Sequence, residues 1–152
     1  REVYRTIIIR DLVDKYRIRN EAEFKNMAGF MMDNIGNILS PNNVCNCLNN
    51  NKSSITRKTV SKYIDYLCNS FLLYEAKRYD LKGKKYLENN CKYYLSDTSF
   101  RFAINGTKNM DYGHVYENIV FLELLRRGYE VYVGKLCKIP AGMSIESLNV
   151  IK

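Results

Sequence analysis

Arg57, Lys58, Ser61 and Lys62 in the run TRKTVSK carry the first usable chemistry in this chain. A helix over residues 56–70 puts them on one face, because positions one turn apart lie above one another. Their cations can neutralise phosphates, and the serine hydroxyl can donate to a phosphate oxygen. A second basic group, Lys82, Lys84 and Lys85, fills the turn LKGKK. Such a turn can hold the DNA backbone while the helix lies in the major groove. The other reading of both groups is a solvated face kept soluble by its lysines. Asp65 on the same helix face favours that second reading, since a carboxylate repels phosphate.

The charge is unevenly spread. The 152 residues carry 24 Lys and Arg against 16 Asp and Glu, a net charge of +8. Residues 52–92 hold ten basic and four acidic residues, so +6 of the excess lies there. That asymmetry is the footprint expected of a phosphate-binding surface, or of a solvated turn with ordinary surface lysines.

Other chemistry is poorly supplied. The single histidine, His114, has no acid or nucleophile partner visible in sequence. The cysteines, Cys45, Cys47, Cys68, Cys91 and Cys137, form no C-x-x-C, so no metal site is expected. They read as small buried hydrophobes of a reducing cytoplasm. Glu117 and Glu123 lie in an otherwise apolar helix, where each needs an edge or a partner, and Glu123 stands four residues before Arg127. No G-x-x-x-x-G-K-[ST] occurs, so no ATP cradle and no cofactor is expected. No apolar run reaches the ~20 residues of a membrane span.

The elements that must position these groups follow from periodicity. Residues 2–18 fit an amphipathic helix that reads as a connector. Asn20 caps the next helix, Phe24, Met27, Met31 and Ile35 share a face, and Gly36 ends it. Ser40-Pro41 opens a short helix offering Val44, Cys45 and Leu48 to a core. Thr56 caps the helix carrying the basic face, with Val60, Ile64 and Leu67 on its buried side. Strands over 71–80 and 86–97 flank the basic turn. A short helix capped by Asp97, a loop over 105–113, and a helix over 114–127 follow. That last helix is apolar nearly all round and expects burial on several sides. A strand over 129–135 precedes a tail with little pattern.

DNIGNILS (33–40), YIDYLCNSFLLYEAKRYDLKGKK (63–85), KYYLSD (92–97) and GHVYENIVFLELLRRGYEVYVGK (113–135) occur in an order that resembles the C-terminal region of prokaryotic predicted AAA-type ATPases. The resemblance covers about residues 1–135. It implies a P-loop core, then a winged helix, then a domain similar to PD-(D/E)xK nucleases. Glu117 stands in the helix where such nucleases carry a glutamate. The Asp and E-x-K that would complete the set are absent after it. The chain is therefore expected to be α+β, a winged helix-turn-helix followed by an incomplete nuclease-like α/β unit. The expected divisions are a linker helix leaving the missing ATPase core over 1–20, the winged helix over 21–100, and the truncated unit over 101–152.

The functional expectation is a non-catalytic cytoplasmic fragment that binds duplex DNA through Arg57, Lys58, Ser61, Lys62, Lys82, Lys84 and Lys85. The alternative is a module that docks on the ATPase core or on a second copy of itself.

Overall fold

A computed structural model of the chain describes residues 2–50, 53–80, 85–105, 112–135 and 148–151. Lys82, Lys84, Cys137 and most of the tail lie outside the described residues. The fold is mixed α+β, with helices on both faces of one mixed sheet.

The chain opens with α1 (Glu2–Tyr16) and α2 (Glu21–Asp33). The side chain of Asn20 accepts from the Glu23 N–H at 3.1 Å, satisfying one of the free donors of the first α2 turn. After α2, Gly36 takes φ 74°, a left-handed conformation that glycine adopts without Cβ strain. Strand β1 (Ile38–Leu39) follows, two residues that carry no readable alternation. Helix α3 (Pro41–Asn50) starts at Ser40, whose Oγ accepts from the Asn43 N–H. Helix α4 (Arg57–Asn69) starts at Thr56, whose Oγ1 accepts from the Thr59 N–H at 3.2 Å.

Strands β2 (Leu73–Asp80) and β3 (Lys85–Leu95) pair antiparallel, and Lys85 stands opposite Asp80. The ladder is irregular between Ala76 and Arg78, and Asn90 nearby has φ 71°. Asparagine tolerates that conformation better than most side chains. Then come α5 (Ser99–Asn105), α6 (Tyr112–Arg126), β4 (Glu130–Lys135) and β5 (Leu148–Ile151). Strand β4 runs parallel to β2, and the sheet order is β1-β3-β2-β4-β5. One sheet thus continues across the expected boundary at residues 100 and 101. Part of the tail also joins that sheet, as β5 beside β4.

The β2–β3 hairpin is a wall between two cores. Alternate residues of a strand face opposite sides, and here both sides are used. Leu73, Cys91, Tyr93 and Leu95 face the helical core of α1 to α4, with Phe24, Met27, Met31, Val60 and Leu67. Ala76 and Tyr94 face the other way, onto Phe121, Val131 and Val133. Tyr94 stacks on Phe121 with ring centroids 4.0 Å apart.

Two expectations are corrected by this packing. α1 is more than a connector, because Ile9 and Leu12 are buried in the helical core. α6 is not buried on several sides: Tyr116 is exposed, and Ile119 and Val120 are each 50% exposed. The residue types allow burial all round, but the sheet covers only the Val115, Asn118 and Phe121 side.

Candidate nucleic-acid interface

The geometry of α4 is set by its apolar stripe. Val60, Tyr63, Ile64 and Leu67 are buried, so the opposite face is turned outward. Arg57, Lys58 and Lys62 are exposed there, and Ser61 is half-buried beside them. The expected α4 residues are therefore brought together on one accessible surface. Arg57 and Lys58 make no ion pair among the described residues, which leaves their charge available. Of the turn residues, Lys85 is located by its backbone at the start of β3, and Lys82 and Lys84 are outside the described residues.

Two clefts flank α4, and they differ in charge. On the hairpin side the lining includes Arg57, Ser61, Asp65 and Glu75. On the α1 side it includes Arg17, Arg19, Thr59 and Lys62. Sequence reading passed over Arg17 and Arg19. The signal available was the run KYRIR at 15–19, which looks like an ordinary linker until Tyr16 is seen to dock on α4.

The hairpin side also holds two thiols of high pKa. Burial first, then Glu75 and Asp65, push Cys68 up to about 12. Burial first, then the Glu75 carboxylate, push Cys91 up to about 12. Such thiols stay protonated at neutral pH and are poor nucleophiles.

A polar cluster joins the hairpin to α6. Lys92 Nζ donates to Glu117 Oε1 at 2.9 Å, and the Tyr94 hydroxyl donates to the same oxygen at 2.6 Å. The other oxygen, Oε2, lies 3.6 Å from His114 Nδ1. His114 thus has an acid neighbour, three residues on along α6, that the sequence reading did not identify. Burial, then Glu117, raise the Tyr94 pKa. Gly36 packs over this cluster; a Cβ there would fall 2.7 Å from His114 Nδ1. The carboxylate of Glu117 is thereby engaged in tying α6 to β3. Glu123 is held by Arg126 and Arg127, both at 2.7 Å, and these partners keep its pKa down at about 2. Among the described residues no group of three or more His, Cys, Asp or Glu could hold a metal ion, and no helix is long and apolar enough to cross a membrane.

Comparison with known proteins gives a family match over residues 1–111, to a domain of unknown function, DUF8612. The match ends just before α6. An uncharacterised protein of Haemophilus influenzae is 40% identical over 134 residues, covering 88% of this chain and 34% of the relative. Uncharacterised protein MJ1544 of Methanocaldococcus jannaschii is 30% identical over 123 residues, covering 81% of this chain and 27% of the relative. The chain therefore spans about a third or less of the length of these curated relatives. No solved structure matches it significantly.

Proposed function

The chain belongs to the family of the domain of unknown function DUF8612, and from that premise we propose that it is a non-catalytic module that binds duplex DNA through α4 and the β2–β3 turn. The observation that carries this reading is the outward face of α4. Arg57, Lys58 and Lys62 stand together on it, Arg57 and Lys58 without acid partners among the described residues. The element order supports it: α2, β1, α3, α4, β2 and β3, with β1 pairing on β3, is the order of a winged helix. The helix would enter the major groove, and Lys82, Lys84 and Lys85 would hold phosphates without reading sequence.

The wider context is also proposed. The chain would lie behind an ATPase core of the AAA type, and that core would occupy length that the relatives carry outside the matched span. Residues from α6 onward would be the start of a nuclease-like unit in which Glu117 has a structural role.

The test is a titration of labelled duplex DNA at increasing salt. Binding should weaken steeply as salt rises, by counterion release. Changing Lys82, Lys84 and Lys85 together to Glu should abolish the shift. No binding even at low salt would sink the proposal.

A specific observation favours a second reading. Tyr112, Tyr116, Ile119 and Val120 leave an exposed apolar strip along α6. Such a strip suits docking on the rest of the longer protein or on a second copy of the chain. A chain that stays monomeric in sedimentation at high concentration, and ignores the rest of the protein added in trans, would rule it out.

A further inference from the structure

Where the Lys62 face of α4 meets the α1–α2 connection, the chain builds a second basic surface. Tyr16 and Tyr66 stack with ring centroids 3.9 Å apart and an interplanar angle of 9°. So small a gap leaves no room for an ammonium between the rings. Lys15 therefore covers the outer face of Tyr16, with Nζ 5.1 Å from the centroid, and Lys62 covers the outer face of Tyr66 at 5.7 Å. The cation–π contacts orient both ammoniums without cancelling their charge.

Beside this column the chain turns sharply at Arg17, which has φ 49°. The Arg17 N–H donates to Asp14 O and the Ile18 N–H to Val13 O at 3.0 Å, closing α1. Glycine is favoured at such a position, so the arginine is held there against backbone strain. Arg17 and Arg19 are exposed and make no ion pair among the described residues. The cleft they line with Thr59 and Lys62 has no carboxylate in its wall, whereas the cleft across α4 has Asp65 and Glu75. Burial, and then the Glu23 carboxylate, raise the pKa of Tyr63, which lines the same cleft.

We propose that Arg17 and Arg19 each bind a backbone phosphate of duplex DNA beside α4, continuing the contact made by Lys62 onto the α1–α2 connection. The proposal rests on the reading of α4 as the DNA-facing helix. Field and stiffness both favour it. An anion following α4 meets attraction on this side and carboxylates on the other. The stacked tyrosines orient Lys15 and Lys62 before binding, so little of their side-chain freedom is lost.

The experiment is a duplex titration of the whole chain over a range of salt, comparing the Arg17→Gly/Arg19→Ser double variant with wild type. A thermal melt accompanies it, and Arg17→Gly should melt no lower than wild type because glycine relieves the left-handed strain. The double variant should bind ~10-fold more weakly at low salt, and its slope of log K against log salt should be shallower by about two, one for each lost cation. Unchanged affinity, or weaker binding with an unchanged slope, overturns the inference. If Arg57→Glu/Lys58→Glu then abolishes binding, the reading of α4 stands without it. If wild type binds no duplex at low salt, both fall together.

Discussion

The Asn118 side chain on α6 is hydrogen-bonded to both backbone polar groups of Leu95: the Leu95 N–H donates to Oδ1 at 2.7 Å, and Nδ2 donates to the Leu95 carbonyl at 2.9 Å. β1 covers the edge of β3 only at Cys91 and Lys92, and the Gly36 N–H reaches the Tyr93 carbonyl. Two residues on, the same edge would be unsatisfied without Asn118. A helix side chain thus completes a strand ladder and locks α6 to the hairpin. Asn118→Leu should leave a buried N–H and C=O unpaired and lower stability by about 2–4 kcal/mol. Chemical denaturation would measure it; a loss within experimental error would show that water replaces the amide.

Glu117 and Lys92 form a mostly buried pair, their side chains 21% and 9% exposed. Removing one partner strands the other charge in a poorly solvated place. Glu117→Ala should therefore destabilise by about 2–4 kcal/mol, near or below the range for a fully buried pair. The double variant Lys92→Met/Glu117→Ala should recover part of that loss, giving a favourable coupling in a double-mutant cycle. Additive losses would mean that the carboxylate is held mainly by Tyr94.

Phe71 sits at the α4–β2 junction with φ 56°, and it is 71% exposed. The Leu72 N–H donates to Leu67 O, the bond that closes a helix through a left-handed residue. A phenylalanine there is strained and buries little. Phe71→Gly should raise stability by about 0.5–1 kcal/mol, the relief of strain offset partly by the entropy of glycine. A lower denaturation midpoint would mean that the ring packs more firmly than its exposure indicates.

Helices α2, α3 and α4 were readable because each carries a cap and a stripe. Asn20, Ser40 and Thr56 all accept the N–H three residues on, as their types and positions suggest. The expected strand over 71–80 begins two residues late, since Phe71 and Leu72 are used to close α4. β1 was not readable: two residues carry no period, and only pairing with Cys91 and Lys92 makes them a strand. Which tyrosine faces which core was also hidden, because Tyr93 and Tyr94 are adjacent and equally suited to either side. The α4 face was legible as a helix stripe. Arg17 and Arg19 were not, because their place depends on the Tyr16–Tyr66 contact, which joins residues 50 positions apart.

Stability should fall in alkali, and the sign follows from the acids buried around the hairpin. Cys68 and Cys91 are pushed from the ordinary 9.0 up to about 12, chiefly by burial. Tyr93 and Tyr94 are also raised from 10.0, again chiefly by burial, with Glu75 and Glu117 adding to it. Below about pH 8 all four are protonated whether the chain is folded or not, so they give no pH dependence there. Above it the unfolded chain releases protons that the folded chain keeps, and unfolding is favoured progressively as pH rises toward the folded values. Melting temperature should stay flat in this respect from about pH 6 to about pH 8 and then drop. Cys68→Val should make the drop shallower, because one proton fewer is released on unfolding. A melting temperature unchanged up to about pH 10.5 would mean that these groups ionise within the fold and are not shielded by it.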